Sequence, residues 1–460
     1  MDASSLIEAV RRHLGGGEAP EPGALRRALA ARLTDRRNRR GIRHELAPVV
    51  SVLVAGAACG YRGPLAIAEA AAGWGQELLA AHGCRVSPAT GLRVAPSART
   101  LYRVPGGLDA DELEAALTAA LADAALAPQV TAAAAAKRQK ERGKKEKKKR
   151  KQKPPAAGSF RQEREDGWFR PHPLHPWLDP AVTGDPGHVP ARHAVAVDGK
   201  ERKGAKAGGK KKVHLLAAVT HTPGIVIAQD KVAKSGKANE ISHFRPLLAP
   251  LPLDGAVVTS DAMQANRDNS FFLRKAKGAH YLWPILGNQP SLNETLNALP
   301  WQDAPVAAAT CEISQGRIET RTLRVLPCPG RTGFEGAEQA LLIERYTTYK
   351  NKGQWHTRCE AVLYLTSLAE DQTTPEDLLA HVRGHWRVEH AHWLRDVIWK
   401  EDKSLIRTGN APQVWSAITN LVISLFRIHG VTSYTAETRR CAQDPRRALQ
   451  ILDLTALSPG

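Results

Sequence analysis

HAVAVDGK, residues 193–200, is a run of apolar and β-branched residues that stops on an acid. It reads as a buried strand, and a carboxylate where a buried strand ends is costly unless a cation meets it. Asp-Gly between strands commonly forms a type I′ hairpin turn. The next thirteen positions argue otherwise, because Lys200 to Lys212 is a long, polar, Gly-containing segment and not an immediate return strand. Asp198 therefore reads as the end of its strand, facing a site. Working outward, VHLLAAVT (213–220) and GIVIAQDKVA (224–233) complete a three-strand meander. A helix in NEISHFRPLLAPL (239–251), a strand in GAVVTSDA (255–262), a helix in NRDNSFFLRKAKG (266–278) and a strand in AHYLWPIL (279–286) follow. Meander and alternation together predict a mixed α/β sheet. Asp261 closes the second of these acid-bearing strands, where a helix N-cap is the competing reading.

Strands resume in CEISQGRIETRTLRVLP (311–327), QALLIERYTTYK (339–350) and CEAVLYLTSL (359–368). The chain then turns helical through TPEDLLAHVRGHWRVEHAHWLRDVIWKED (374–402). At about 100° per residue, His385, Glu389, His392 and Asp396 share an arc of roughly 60°, with His381 beside them. Trp386, Trp393 and Val397 occupy a neighbouring face, which is read as the packing face. Asp198, Asp261 and Glu389 then form a set of three carboxylates suited to Mg²⁺. A histidine zinc site from His381, His385 and His392 is the competing reading, as is a wet helix face; no HExxH or Cys partner accompanies the histidines.

Before residue 130 the pattern is helical: SSLIEAVRRHL (4–14), HELAPVVSVLVAGAACGY (44–61), GPLAIAEAAAGWGQELLAAHG (63–83) and LDADELEAALTAALADAAL (108–126), the last capped by Asp109 or Asp111. SARTLYRVPGGL (97–108) reads as a small basic helix or turn that either packs or docks on DNA. The expected domains are a helical N-terminal domain (1–130), a basic Pro/Gly-containing linker (131–185), an α/β catalytic domain (186–430) with a β insertion at about 305–368, and a C-terminal tail (431–460).

The formal charge is +19, and it is uneven. Lys137 to Lys153 holds twelve Lys or Arg and two Glu, 12 − 2 = +10, which leaves 19 − 10 = +9 elsewhere. A second cluster, Lys200 to Lys212, has seven Lys or Arg against one Glu. The first run reads equally as a solvated linker or as a DNA contact. Acidic metal ligands in a cationic chain point to phosphodiester chemistry, the ions driving the reaction while Lys and Arg hold the polyanion. Six cysteines without CxxC spacing or a signal peptide fit a reducing cytoplasm. The longest apolar stretch, about 47–59, falls short of the roughly 18 residues a bilayer crossing needs, so no membrane partner is expected.

These residues resemble the ISAs1 family of bacterial insertion-sequence transposases, within the DDE group with RNase H-like catalytic domains. RRNRRGIRHELAPVVSVLVAGAACGYRGPLAIAEAAAGW (36–74) is similar to that family's N-terminal helical domain. AVDGKERKGA (196–205), KANEI (237–241), VTSDAM (258–263), GNQPSL (287–292), HWRVEHAHWLRDV (385–397) and KEDKSLIRTGNAP (400–412) follow in the family's order. The chain departs from related patterns at Leu286, Gln264, Val382 and Asp396. The resemblance implies that Asp198, Asp261 and Glu389 are a DDE triad holding two Mg²⁺ or Mn²⁺ ions. It further implies cleavage at insertion-sequence ends and strand transfer into target DNA, by at least a homodimer, in the bacterial cytoplasm at the nucleoid. Lys200, Arg202, Lys203, Asn288, Gln289, Arg383 and His385 are the expected DNA contacts. A non-catalytic DNA-binding protein and a structure-selective nuclease are the alternatives.

Overall fold

The computed structural model describes residues 32–115, 183–202, 213–232, 240–314, 316–330, 332–404 and 406–452. The expected helix at 4–14, the linker with its Lys-rich run up to residue 182, Lys203 and nearly all of the second basic cluster lie outside those residues. The chain divides into two compact units. One takes the described residues of Met1–Lys137, Ala196–Pro252 and Trp386–Gly460; the other takes those of Arg138–Val195 and Leu253–His385.

The second unit is built on a large mixed sheet. Its strands are β1 (Thr183–Gly184), β5 (Val257–Ser260), β6 (His280–Ile285), β7 (Ala308–Ser314), β8 (Arg317–Pro327), β9 (Gln339–Asn351) and β10 (Gln354–Thr366), in the order β1-β7-β8-β9-β10-β6-β5. The pairs β1–β7 and β5–β6 are parallel and the rest antiparallel. β5 is buried at every position, as Val-Val-Thr-Ser demands when both faces are covered. The β8–β9–β10 meander instead alternates in burial, so one of its faces is wet. Leu282, Leu323, Leu341 and Ile343 pack with Leu378, Leu379 and Val382 of a helix spanning Pro375–Gly384.

The first unit holds β2 (Ala194–Arg202, from Ala196 on), β3 (Val213–Thr220) and β4 (Val226–Lys231), neighbours in that order, with β3 and β4 antiparallel. Its helices are α1 (Leu46–Ala58), α2 (Pro64–Ala72), α3 (Gln76–Ala81), α4 (Ala98–Gly107), α5 (Glu240–Leu248), α9 (Trp386–Ile398), α10 (Ala411–Ile428), α11 (Tyr434–Gln443) and α12 (Pro445–Leu452). The second unit's helices are α6 (Arg267–Phe271), α7 (Pro290–Asn297) and α8 (Pro375–Gly384). All eighteen residues of α10 are buried, so this helix is a central post, and α1 and α4 pack on it. Such an all-round buried helix has no polar stripe to betray it in sequence.

Four expectations change. The helix expected at 63–83 is two, because Gly73 and Gly75 end α2 and start α3. The helix expected at 374–402 breaks between Gly384 and Trp386 into α8 and α9. The segment after 431, expected as a tail, forms α11 and α12 with Cys441, Ala448 and Ile451 buried. Asp198 does not end its strand: β2 runs on to Arg202. The reason is the alternation of side chains along a strand, which sends Asp198, Lys200 and Arg202 to one face, where each meets a partner of opposite sign or a hydrogen-bond donor. The choice between caps at 109 and 111 falls to Asp109, whose Oδ1 accepts from the amides of Asp111 and Glu112, both at 3.1 Å.

Candidate active site

In the first unit, β2 and α9 run side by side in register. Ala196 packs with Val388 and Ala391. Two residues on, Asp198 Oδ2 lies 3.5 Å from His392 Nδ1. Another two residues on, Lys200 Nζ reaches Asp396 Oδ2 at 2.6 Å, with Asp402 Oδ1 at 3.8 Å. Two residues advance a strand by about 6.7 Å and four residues advance a helix by about 6 Å, so the steps 198→200 and 392→396 match. Glu389 lies one turn before His392 on this helix and is exposed. Burial holds the His392 imidazole below its ordinary range although the Asp198 carboxylate pulls it up. A neutral imidazole orients Asp198 without neutralising it.

Beneath this row is a buried ion cluster. Glu401 Oε2 accepts from Arg395 Nε at 2.6 Å, and its Oε1 lies 3.3 Å from Arg202 Nε and 2.5 Å from Ser416 Oγ. Arg395 also donates to Ser416 Oγ and Gln229 Oε1, and Gln229 binds Asn420 and Glu114. Desolvation works to raise the Glu401 pKa, but Arg395 and Arg202 outweigh it and hold the carboxyl at about 2. Burial pushes Glu114 well above the carboxylate range, with the Asp111 and Asp230 carboxylates adding to the rise and the Gln229 and Gln413 amides opposing it.

The opposite face of β2 explains its glycine. A Cβ on Gly199 would fall inside the Glu240 carboxylate, which pairs with His214. The Gly of the DGK triplet makes room for α5; it is not a turn residue.

In the second unit, Asp261 immediately follows β5 and opens a 3₁₀ turn, Ala262–Gln264. Neutral amides grip that turn. Asn288 Nδ2 donates to Ala262 O and Gln289 Nε2 to Ala265 O (3.1 Å), while Asn269 Nδ2 donates to Gln264 O at 2.9 Å. Thr259 Oγ1, two residues before Asp261, lies 3.2 Å from His385 Nδ1.

The expected DNA contacts divide accordingly. Arg202 is 0% exposed, bonded to Glu401 and Pro412 O, and buried Lys200 is held by Asp396; neither is offered to a phosphate. Arg383 is ion-paired with Glu312 and donates to Pro186 O. Asn288 and Gln289 brace the Asp261 turn, and His385 sits against Thr259. The expected packing face of α9 is not one: Trp386 is 51% and Trp393 55% exposed. His381 is buried beside Asp377, and burial lowers its pKa to about 4. Glu401, Arg395 and Gln229 were not singled out by sequence reasoning; the alternation in DGKER, acid then two bases at every second residue, was the available signal.

Three carboxylates are the hard oxygen donors that Mg²⁺ or Mn²⁺ takes, so the donor set fits such an ion in kind. Among the described residues, no three His, Cys, Asp or Glu side chains gather as a metal site. No helix among them is long and apolar enough to cross a membrane.

Residues 185–425, more than half of the chain, match the family described as Transposase DDE domain, and residues 28–120 match the one described as DDE_Tnp_1-associated. The chain belongs to the DDE transposase family. Among relatives of this transposase-family chain, "Putative transposase YncI" of Escherichia coli O157:H7 is 30% identical over 250 residues, 51% of this chain and 61% of that protein. "H repeat-associated putative transposase YhhI" of Escherichia coli K12 is 28% identical over 295 residues, 58% of this chain and 73% of that protein. The match thus spans less than two thirds of the first relative. The cryo-EM structure of a piggyBac transposase synaptic complex with hairpin DNA aligns at a TM-score of 0.33 and 12% identity, over 58% of this chain and 55% of that one, a likeness too slight to carry weight.

Proposed function

We propose that this protein is a DNA transposase that cleaves insertion-sequence ends and transfers the strand into target DNA, through an RNase H-like domain in which Asp198, Asp261 and Glu389 are the catalytic carboxylates. The observation that carries the reading is the register of β2 on α9, pairing Ala196 with Val388 and Ala391, Asp198 with His392 and Lys200 with Asp396. It supports the reading because β2, which carries Asp198, and α9, which carries Glu389, both lie within the family match. Asp198, Asp261 and Glu389 would hold the divalent ions, two of them by the family resemblance. Bound there, such ions supply Lewis-acid activation of the attacking oxygen and neutralise charge at the leaving one.

The chain's own residues do the rest. His392, neutral, holds the Asp198 carboxylate without cancelling its charge. Lys200 neutralises Asp396 and so ties β2 to α9. Asn288 and Gln289 tie down the turn behind Asp261 with groups that carry no charge. DNA, both element end and target, is the substrate, handled by at least a dimer because two ends are joined. The expected N-terminal helical domain, linker and insertion-bearing catalytic domain remain part of this reading, as does a cytoplasmic location.

The test is Mg²⁺- or Mn²⁺-dependent cleavage of a labelled duplex carrying the element's own end, comparing the intact chain with Asp198→Asn, Asp261→Asn and Glu389→Gln. Cleavage and joined product from the intact chain alone, with binding retained in the variants, support the proposal. Binding by the intact chain without nicking under either ion would transfer the assignment to a non-catalytic DNA-binding protein. Nicking without joined product would make it a nuclease.

A further inference from the structure

The segment from Leu78 to Leu108 holds four arginines (85, 93, 99 and 103) and no Asp or Glu. Its last part is α4, started by Ser97, whose Oγ accepts from Thr100 N. One side of α4 packs: Leu101, Val104 and Pro105 are buried. Its other side carries Arg99, Tyr102 and Arg103, all exposed, Tyr102 at 49%. At 100° per residue these three span an arc of about 100°, opposite the buried stripe. Neither arginine has an ion-pair partner among the described residues. This separates them from Arg202, Arg383 and Arg395, each already committed to a carboxylate.

α4 is also rigidly mounted. Gly409, at φ +54°, meets Gly106 so closely that a Cβ there would strike the Gly106 carbonyl. That carbonyl accepts from Asn410 N at 3.2 Å, and Asn410 Nδ2 donates to Leu108 O at 3.0 Å. Residues 408–410 lead directly into α10, so the helix is fixed to the post of the unit that holds Asp198 and Glu389.

We propose that the Arg99–Tyr102–Arg103 face of α4 is a docking surface for the DNA backbone. The inference rests on the reading that the chain acts on DNA, and it deepens that reading by naming a surface outside the carboxylate site. Arg99 and Arg103 stand about 6 Å apart along the helix axis. That is close to two phosphate steps of one DNA strand at ~3.4 Å each. The tyrosine hydroxyl between them is a further phosphate donor. A helix face with two guanidiniums that have no ion-pair partner among the described residues suits a regular polyanion, and its rigid mount lets bound DNA keep a fixed position relative to β2 and α9.

The experiment is fluorescence anisotropy of a labelled 30-base-pair duplex of arbitrary sequence, titrated with full-length protein from 50 to 300 mM NaCl. Each phosphate contact contributes about 0.9 to the slope of log K against log salt. Arg99→Ala/Arg103→Ala is expected to weaken binding and flatten the slope by about 1.8, with an unchanged melting temperature since both residues are exposed. The control, Arg317→Ala/Lys352→Ala, removes two exposed charges from hairpin tips of the other unit and is expected to leave the slope nearly unchanged. An unaltered slope in the α4 variant, or an equal drop in the control, overturns the docking surface while leaving the transposase reading intact. Failure of the intact chain to bind duplex at any salt overturns both.

Discussion

Asp198 and Asp261 occupy contrasting surroundings. Around Asp198 the neighbouring positions are charged and paired: Lys200 with Asp396, Arg202 and Arg395 with Glu401. The turn that follows Asp261 is instead held by neutral amides from Asn269, Asn288 and Gln289. A charged scaffold fixes geometry strongly but fails all at once when one member is lost, because the survivor is a buried, unmatched ion. An amide scaffold is weaker per bond and degrades gradually. The surroundings of Asp198 in the first unit are thus set by ion pairs, and the turn after Asp261 in the second unit by dipoles.

The largest break in that comparison should come from Glu401→Ala. Stranding two buried guanidiniums is expected to destabilise the first unit by about 3–5 kcal/mol, read from urea unfolding of the full chain. With Glu401 held at about 2, below its unfolded value near 4.5, its contribution is present above pH 4.5 and is lost as pH falls toward 2. Next is the acid response of the second unit. His381 is buried and its pKa is lowered to about 4, so it stabilises the fold above its unfolded pKa near 6.5 and that contribution fades as pH falls toward 4. The loss is on the order of 3 kcal/mol, and His381→Gln should flatten the unfolding midpoint between pH 6.5 and 4. If the midpoint keeps its slope there, the buried histidine is not the group responsible.

Gly199→Ala should have an intermediate effect. The added methyl meets the Glu240 carboxylate and should cost about 1–3 kcal/mol, visible as a lowered melting temperature, with Gly75→Ala, where a Cβ meets open space, as the tolerated counterpart. The smallest stability change belongs to Asn288→Ala and Gln289→Ala, about 1 kcal/mol each. If these amides position Asp261, cleavage should fall by far more than stability does. Equal small losses in both would reduce them to ordinary surface bonds.

Much of the fold was legible because β2 to β6 obey simple rules: apolar runs bounded by polar or Gly-rich breaks, with an acid closing β5. The β7 to β10 strands were legible from their β-branched and aromatic content. What misled was local. The 63–83 pattern stayed apolar across Gly73-Trp74-Gly75, so periodicity hid two helix ends that only the backbone reveals. Trp386 and Trp393 looked like core because large aromatics usually are, and no wheel distinguishes a buried aromatic stripe from an exposed one. Arg202 and Arg383 looked like phosphate contacts because unpaired and paired arginines are the same letter. Their carboxylates, Glu401 and Glu312, lie 199 and 71 positions away in the chain. Asp198 was named from sequence as a candidate ligand, yet Lys200 and Arg202, which alternate with it on β2, were read as phosphate contacts and are held by Asp396 and Glu401.

One carboxylate at position 401 answers to guanidiniums at 202 and 395 and to a hydroxyl at 416. No one of these four can drift alone without leaving the others unmatched. Among copies of such an element they should be inherited as a linked set, changing together or not at all. A copy in which the set is broken while Asp198 and Glu389 survive would keep those letters and still have lost the frame beneath β2 and α9.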